Sequence, residues 1–337
     1  TMANVGSNAA TDNVAIGYQA LNDINANALG NVAIGSYSGD AITSGDYNVS
    51  IGENSLTSAT SGGSNIAIGR IAGANNTTAN GNIYIGYGAG YSNQTGIGNT
   101  IIGNSSYGQS AAAPLNITSV TTVGNEAGYF ATGSYNTFIG AEAGKGNSSA
   151  PYSSGQYNTA VGFQALDVFT TGNQNTAVGP SALGGVTTGT GNIGIGYYGN
   201  SRTTTGDYNI SIGTEGYGAS TGDRNITMGY RAMLTEHSLS YNIAIGHMAL
   251  HTPGAGGNGY NIAIGDMAMY GSAGNADFNV ALGVRALYSI TNGGLNVAIG
   301  HQAGYDLLDG NNGVYIGYYA GHNTLGNDNV IIGHDAG

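Results

Sequence analysis

The stretch Asn13-Val14-Ala15-Ile16-Gly17 recurs letter for letter at Asn31–Gly35 and again at Asn296–Gly300. With its last glycine as a marker, variants end at Gly52, Gly69, Gly86 and Gly103, and the series continues to Gly333. Nineteen copies fill the chain, most of them 17 residues apart, with extremes of 16 and 22. A period of this size marks a solenoid, whose single turns are too small to bury a core alone.

Every copy follows one grammar. Asparagine stands four before the marker, as at Asn13, Asn31, Asn48, Asn65, Asn82, Asn175, Asn192 and Asn209, with Val120 and Gly313 as exceptions. Val, Ile or Thr follows it, and a large aliphatic always precedes the marker. The residue between these two is small in 14 copies and large in five (Tyr84, Ile101, Phe138, Tyr315, Ile331). Alternation of period two in a β-branched run predicts a short strand with one face committed to a core. The reading assigns the core to the large aliphatics. Ile16, Ile34, Ile51, Ile68, Ile85, Val178, Ile195, Ile212, Ile245 and Ile299 are expected to stack as one buried ladder, beside a corner ladder of the asparagines. The small middle residues would then face outward. None of them is charged, although an exposed strand normally uses charge as protection. Ala15, Ala33, Ala177 and Ala244 are therefore expected to meet other copies of the chain.

A small residue recurs three past the marker (Ala20, Ser38, Ala143, Ala182), commonly followed by Leu, Met or Gly. A second, shorter extended piece is expected there. Polar runs such as Thr43-Ser44-Gly45-Asp46-Tyr47 then supply turn chemistry. The longest copies carry extra residues in one stretch, Ser110–Thr118 and Lys145–Ser154. These two loops are expected on one edge of the solenoid, and Asn116, Lys145, Asn147 and Tyr152 within them are candidate recognition residues. The fold class is thus an all-β parallel solenoid, residues 1–337, of about 19 turns, read as one segment of a longer fibrous protein.

Composition narrows the function. There are 62 glycines, 7% charged residues and no Cys or Trp. The hydrophobic share of 40% is too high for a disordered chain. Eighteen acidic against six basic residues give a net charge of −12, and Lys145 is the only lysine. Nucleic-acid binding needs a basic stripe, which is missing, and an anionic membrane surface is disfavoured on the same ground. No apolar run reaches the length of a membrane-spanning helix, so no membrane insertion is expected.

Motifs of chemistry are few. Gly194-Ile195-Gly196-Tyr197-Tyr198-Gly199 fits G-x-G-x-x-G, but a dinucleotide site needs a long helix after it. His247, His301 and His334 each follow a marker, yet Asp266 and Val284 hold that position between the first two. No metal site, cofactor or catalytic set is expected, and the chain reads as a non-enzyme. Asp46, Asp207 and Asp223 share a corner, which reads as solvated. The 24 tyrosines cluster before the corner asparagine (Tyr47, Tyr135, Tyr157, Tyr208, Tyr241, Tyr260) or after the marker (Tyr18, Tyr87, Tyr197, Tyr230, Tyr318). Two readings stand for them: a stacked edge ladder, or exposed rings for carbohydrate or protein contact.

The pattern N-[VIT]-[AST]-[IV]-G-x-x-[AS]-[LG] resembles the YadA-like head repeats of trimeric autotransporter adhesins. It is also similar to the NTAVG repeats of bacteriophage tail fibres. Asn175-Thr176-Ala177-Val178-Gly179 with Ser181-Ala182-Leu183 carries the likeness most closely. The resemblance implies a left-handed parallel β-roll, a homotrimer, and a place outside the cell, on a cell surface or a virion fibre. The leading functional expectation is an adhesin head or tail-fibre segment that attaches to carbohydrate or protein on a target surface. A structural shaft or end-to-end filament is the alternative. Ice binding is a weaker one, since the threonines at Thr121, Thr137, Thr159 and Thr176 are expected to face the core.

Overall fold

Each repeat contributes one strand of three residues, from β1 (Val14–Ile16) and β2 (Val32–Ile34) to β19 (Val330–Ile332). The computed structural model describes residues 12–25, 28–107, 115–149, 152–216, 221–234, 239–251, 259–272 and 274–337. The chain divides into two units, residues 1–173 and 174–337. The first ends its strands at β9 (Thr159–Val161) and the second starts at β10 (Thr176–Val178). Within each unit consecutive strands pair in parallel and in register. Val49, Ser50 and Ile51 lie beside Ile66, Ala67 and Ile68 in the first, and Ile193, Gly194 and Ile195 beside Ile210, Ser211 and Ile212 in the second. Each unit is therefore a parallel β-solenoid built from stacked repeats, with no helix among the described residues.

The alternation is as expected, but its faces are reversed. The middle residues point inward: Ala33, Ala67, Ala177 and Ala244 have no exposed surface, while Ala15 in the first described turn is partly exposed. The expected aliphatic core ladder points outward. Ile68, Val178, Ile195 and Ile299 are each 37% exposed, with Ile16 and Ile212 also exposed and Ile34, Ile51, Ile85 and Ile245 half-buried. Thr121, Thr137, Thr159 and Thr176 share this outward face rather than the core.

Volume explains the reversal. A turn of 17 residues encloses a narrow space, and it is filled by the small strand residue together with a leucine or methionine from across the roll, such as Leu56, Leu166, Leu250 or Met269, all fully buried. Close-packed interiors tolerate no extra methylenes. Where the inward residue is an aromatic ring, the positions packed against it become glycine. A Cβ on Gly73 would lie 2.6 Å from the Tyr84 ring, and one on Gly90 would lie 2.2 Å from it. Gly144 stands in the same relation to Phe138, at 2.5 Å.

The segment after the marker is not a second strand. Positive φ recurs two and four residues past the glycine, as at Gln164 (53°) and Leu166 (54°). The amides there bond alternately to the turn before and the turn after: Asn54 N to Ser36 O at 3.0 Å, and Leu56 N to Ala72 O at 3.0 Å. Left-handed φ costs a non-glycine residue roughly 1 kcal/mol, and the inter-turn bonds hold it. The marker itself is extreme. Gly52 has φ of 135°, and a Cβ on it would sit 2.5 Å from the carbonyl oxygen of Gly69.

The asparagine ladder forms as expected, and Asn31, Asn48, Asn65, Asn82, Asn175, Asn192 and Asn209 are buried, with Asn13 partly so at the first turn. Asn48 donates both its backbone N–H and its side-chain amide to Asn31 Oδ1, at 2.9 and 3.0 Å. Its Nδ2 also donates to Gly62 O at 2.9 Å. Val120 interrupts the ladder: its own N–H still donates to Asn99 Oδ1 at 3.0 Å, but it offers no side-chain oxygen to Asn136 in the next turn.

Candidate functional site

The sheet face is the most extended feature. In each unit two outward columns, one of Val, Ile or Thr and one of Ile, Val, Met or Leu, run through successive strands without a charged residue. The expected contact residues Ala33, Ala177 and Ala244 are inside the roll and cannot touch another copy; the two aliphatic columns hold the surface assigned to them. In the first unit this strip is about 40 Å long with roughly 7 Å between its columns, from the usual strand spacing and rise. Soluble proteins rarely leave an apolar patch of more than a few hundred Å² open.

The two insertions do share an edge. Leu115 re-enters beside Asn93, and Ser153 beside Ala131, each seven residues after a marker glycine. Residues 110–114 and 150–151 of these loops lie outside the described residues. The rest is more tied down than expected. Leu115 N donates to Ser92 O at 3.0 Å, and Gln94 N to Leu115 O at 2.8 Å, so ladder bonds do depend on these stretches. Asn116 Oδ1 accepts from the Thr95 hydroxyl at 2.6 Å. Asn147 receives Ser149 N on its Oδ1 at 3.0 Å and donates its own N–H to Ser153 Oγ. Lys145 is held between Glu126 (2.7 Å) and Glu142 (3.8 Å), and the Glu126 carboxylate raises its pKa above the ordinary lysine value. Half-burial raises the nearby Asp167 carboxyl in turn. Tyr152 lies parallel to Phe130, centroids 6.1 Å apart.

The aromatic residues favour the ladder reading. Tyr135 stacks on Tyr157 at 5.0 Å, and Tyr241, Tyr260 and Phe278 form a run at 4.8 and 5.0 Å. A second ladder, missed in the sequence, stands five residues after the marker: Tyr270, Tyr288, Tyr305 and His322, with centroids 5.3, 4.9 and 4.8 Å apart. Rings stacked in this way spend their faces on each other, and a sugar ring needs an open face. The signal was present as a fixed offset from the glycine, but it holds in few copies.

The marker-adjacent histidines do not meet. His247 Nδ1 pairs with Asp266 at 2.7 Å, while Tyr318 stacks between His301 and His334 at 5.1 and 4.9 Å. Among the described residues no group of three or more His, Asp or Glu side chains is arranged to hold a metal; His237 lies outside them. The corner aspartates are structural acceptors. Asp46 Oδ1 takes the Leu29 N–H, Asp207 the Thr190 N–H and Asp223 the Asp207 N–H, at 2.7–2.8 Å. Asn80 and Asn173 do the same at equivalent corners.

These features define a parallel β-solenoid repeat protein with a bare aliphatic sheet face. No family model matches the chain, and neither a curated protein nor a solved structure matches it.

Proposed function

We propose that the chain is a segment of a non-enzymatic extracellular fibrous protein, of the adhesin-head or tail-fibre kind, whose copies pack through their aliphatic sheet faces and present their edge loops for attachment. The charge-free strip of Val, Ile and Thr in each unit carries this reading. A second copy is the occupant that fits it. It brings the same two apolar columns at the same rise per turn, so burial repeats along the strip without any unpaired charge. The trimer implied by the sequence resemblance would close three such faces around one axis.

Sedimentation equilibrium tests the proposal. The chain is expected at the mass of about three copies, and the triple variant Ile51→Glu, Ile68→Glu, Ile85→Glu at the mass of one with its circular dichroism unchanged. A monomeric parent chain overturns the reading. A second reading gains from the outward threonines: Thr100, Thr121, Thr137 and Thr159 form a column beside Ile102, Val123, Ile139 and Val161, a flat face suited to ordered water at a crystal surface. Thermal hysteresis with a monomeric chain would favour it.

A further inference from the structure

A cleft of about 320 Å³ opens in the second unit, lined by Tyr198, Ser201, Arg202, Glu215, Gly216, Arg231 and Leu234. Its origin is a local failure of the repeat. Three and four residues past the marker, neighbouring turns place Ala182 with Leu183 and Ala232 with Met233, all buried. The intervening turns have Gly199 with Asn200, and then Gly216. In the Gly196 turn the apolar plug is lost and polar atoms stand behind the wall; Tyr217, which holds the plug position of the next turn, lies outside the described residues. Among the described residues neither Ser211 Oγ nor Asn200 Nδ2, both buried, has a hydrogen-bond partner. A Cβ on Gly216 would lie 2.9 Å from that Ser211 Oγ, so this side chain sits directly behind the Gly216 wall of the cleft, and Asn200 is tied to the same wall by its backbone N–H, which donates to Gly216 O at 3.1 Å.

The charge is also unusual. The chain has only six basic residues against eighteen acidic ones, and two of its arginines line this cleft. Arg231 Nε donates to Glu215 Oε2 at 2.7 Å and its guanidinium lies 5.0 Å over the Tyr230 ring, which fixes its direction. Arg202 adds a second, exposed guanidinium. Tyr198 is 41% exposed and offers a ring, and Leu234 an apolar wall.

We propose that this cleft binds a carboxylated sugar residue. An arginine recognises a carboxylate by paired N–H donors. Tyr198 and Leu234 take the apolar face of a pyranose ring, and Glu215 and Ser201 take its hydroxyls. Glu215 decides against a bare phosphate or sulfate, because it would repel a dianion while accepting hydroxyl donors. The volume, at the lower end of ligand sites, fits one monosaccharide. The proposal deepens the attachment reading by naming a ligand class, and it is measured without reference to assembly.

The test is calorimetric and NMR titration of the full chain with the methyl glycosides of N-acetylneuraminate and glucuronate, with methyl galactoside and inorganic phosphate as comparisons. The acidic sugars should bind, and the neutral sugar and phosphate about tenfold or more weaker. Arg202→Ala and Tyr198→Ala should each weaken the acidic sugar by a similar factor with circular dichroism unchanged, while Arg224→Ala, outside the cleft, should not. No binding, equal binding of the neutral sugar, tighter binding of phosphate, or indifference to Arg202→Ala would each overturn the site. Sugar binding by a monomer would refute the assembly reading alone; an assembled chain blind to acidic sugars would refute this one alone.

Discussion

Ala67 and Ile68 are neighbours in β4 (Ile66–Ile68), and the smaller of the two is the buried one. Ala67 has no exposed surface, and Ile68 is 37% exposed. The strand sits in the repeat with its bulk outward and its methyl groups inward, because the opposite wall of the roll already supplies the leucines.

Exchanging lysine into each position separates the two faces. Ala67→Lys puts a long charged chain into a filled interior and should cost about 3 kcal/mol or more, with loss of amide-exchange protection from Val49 to Ile85. Ile68→Lys should cost less than about 1 kcal/mol in a monomer. Urea denaturation followed by circular dichroism reads both, and an Ile68 variant that unfolds would reverse the assignment.

The asparagine ladder is expected to be just as unforgiving. Asn65 Oδ1 accepts both the N–H and the side-chain amide of Asn82, at 3.0 and 3.2 Å, and its Nδ2 donates to Ala79 O at 2.8 Å. Asn65→Ala strands these groups in a dry interior, at about 1–3 kcal/mol for the first of them. Hydrogen exchange should show the Asn82 amide opening first, while distant turns keep their protection.

Tyr84 and Gly73 form a size-matched pair that a mutant cycle can read. Gly73 has φ of 57°, so Gly73→Ala meets both the ring and an unfavourable backbone. Tyr84→Ala removes the ring and leaves a cavity. The double variant should be more stable than the sum of the two losses predicts, by roughly 0.5–3 kcal/mol. Strict additivity would mean that the ring and the glycine do not share the space.

Alkali should unfold the first unit through its buried phenols. Burial raises the pKa of Tyr84 and Tyr107 well above the ordinary tyrosine value, against a hydrogen bond from the Asn93 amide to Tyr84 at 2.6 Å. The folded state holds these protons more tightly than the unfolded chain. Their contribution is therefore whole below the usual tyrosine pKa of about 10 and is lost as pH rises beyond it. Ultraviolet titration should show most tyrosines ionising smoothly and a late step that coincides with unfolding. Tyr84→Phe together with Tyr107→Phe should abolish that late step.

The repeat, its parallel stacking and its asparagine ladder were legible in the sequence, because glycine and asparagine positions are fixed by backbone needs that recur in every turn. The direction of the strand faces was not. Alternation fixes which residues share a side but not which side is inner, and Val-Ala-Ile reads equally well both ways. The deciding clue lay elsewhere in the repeat. Leucines such as Leu56 and Leu183 already occupy the interior, and glycines such as Gly73 and Gly144 appear beside Tyr84 and Phe138. The arginine cleft was hidden for a different reason: it is made by what one turn omits, and a pattern search rewards what turns have in common.

The column of marker glycines also works as a ruler. Gly52, Gly69 and Gly86 approach so closely that each is gauged against the carbonyl of the next, and no side chain can enter to reset the interval. Lengths between markers vary from 16 to 22 residues without disturbing that gauge, because the surplus leaves at the edge. Excising residues 53–69 would bring Gly52 opposite Gly86 with the same fit, so a lineage could shorten or extend such a protein by whole turns with no seam, while altering the loops of each turn separately.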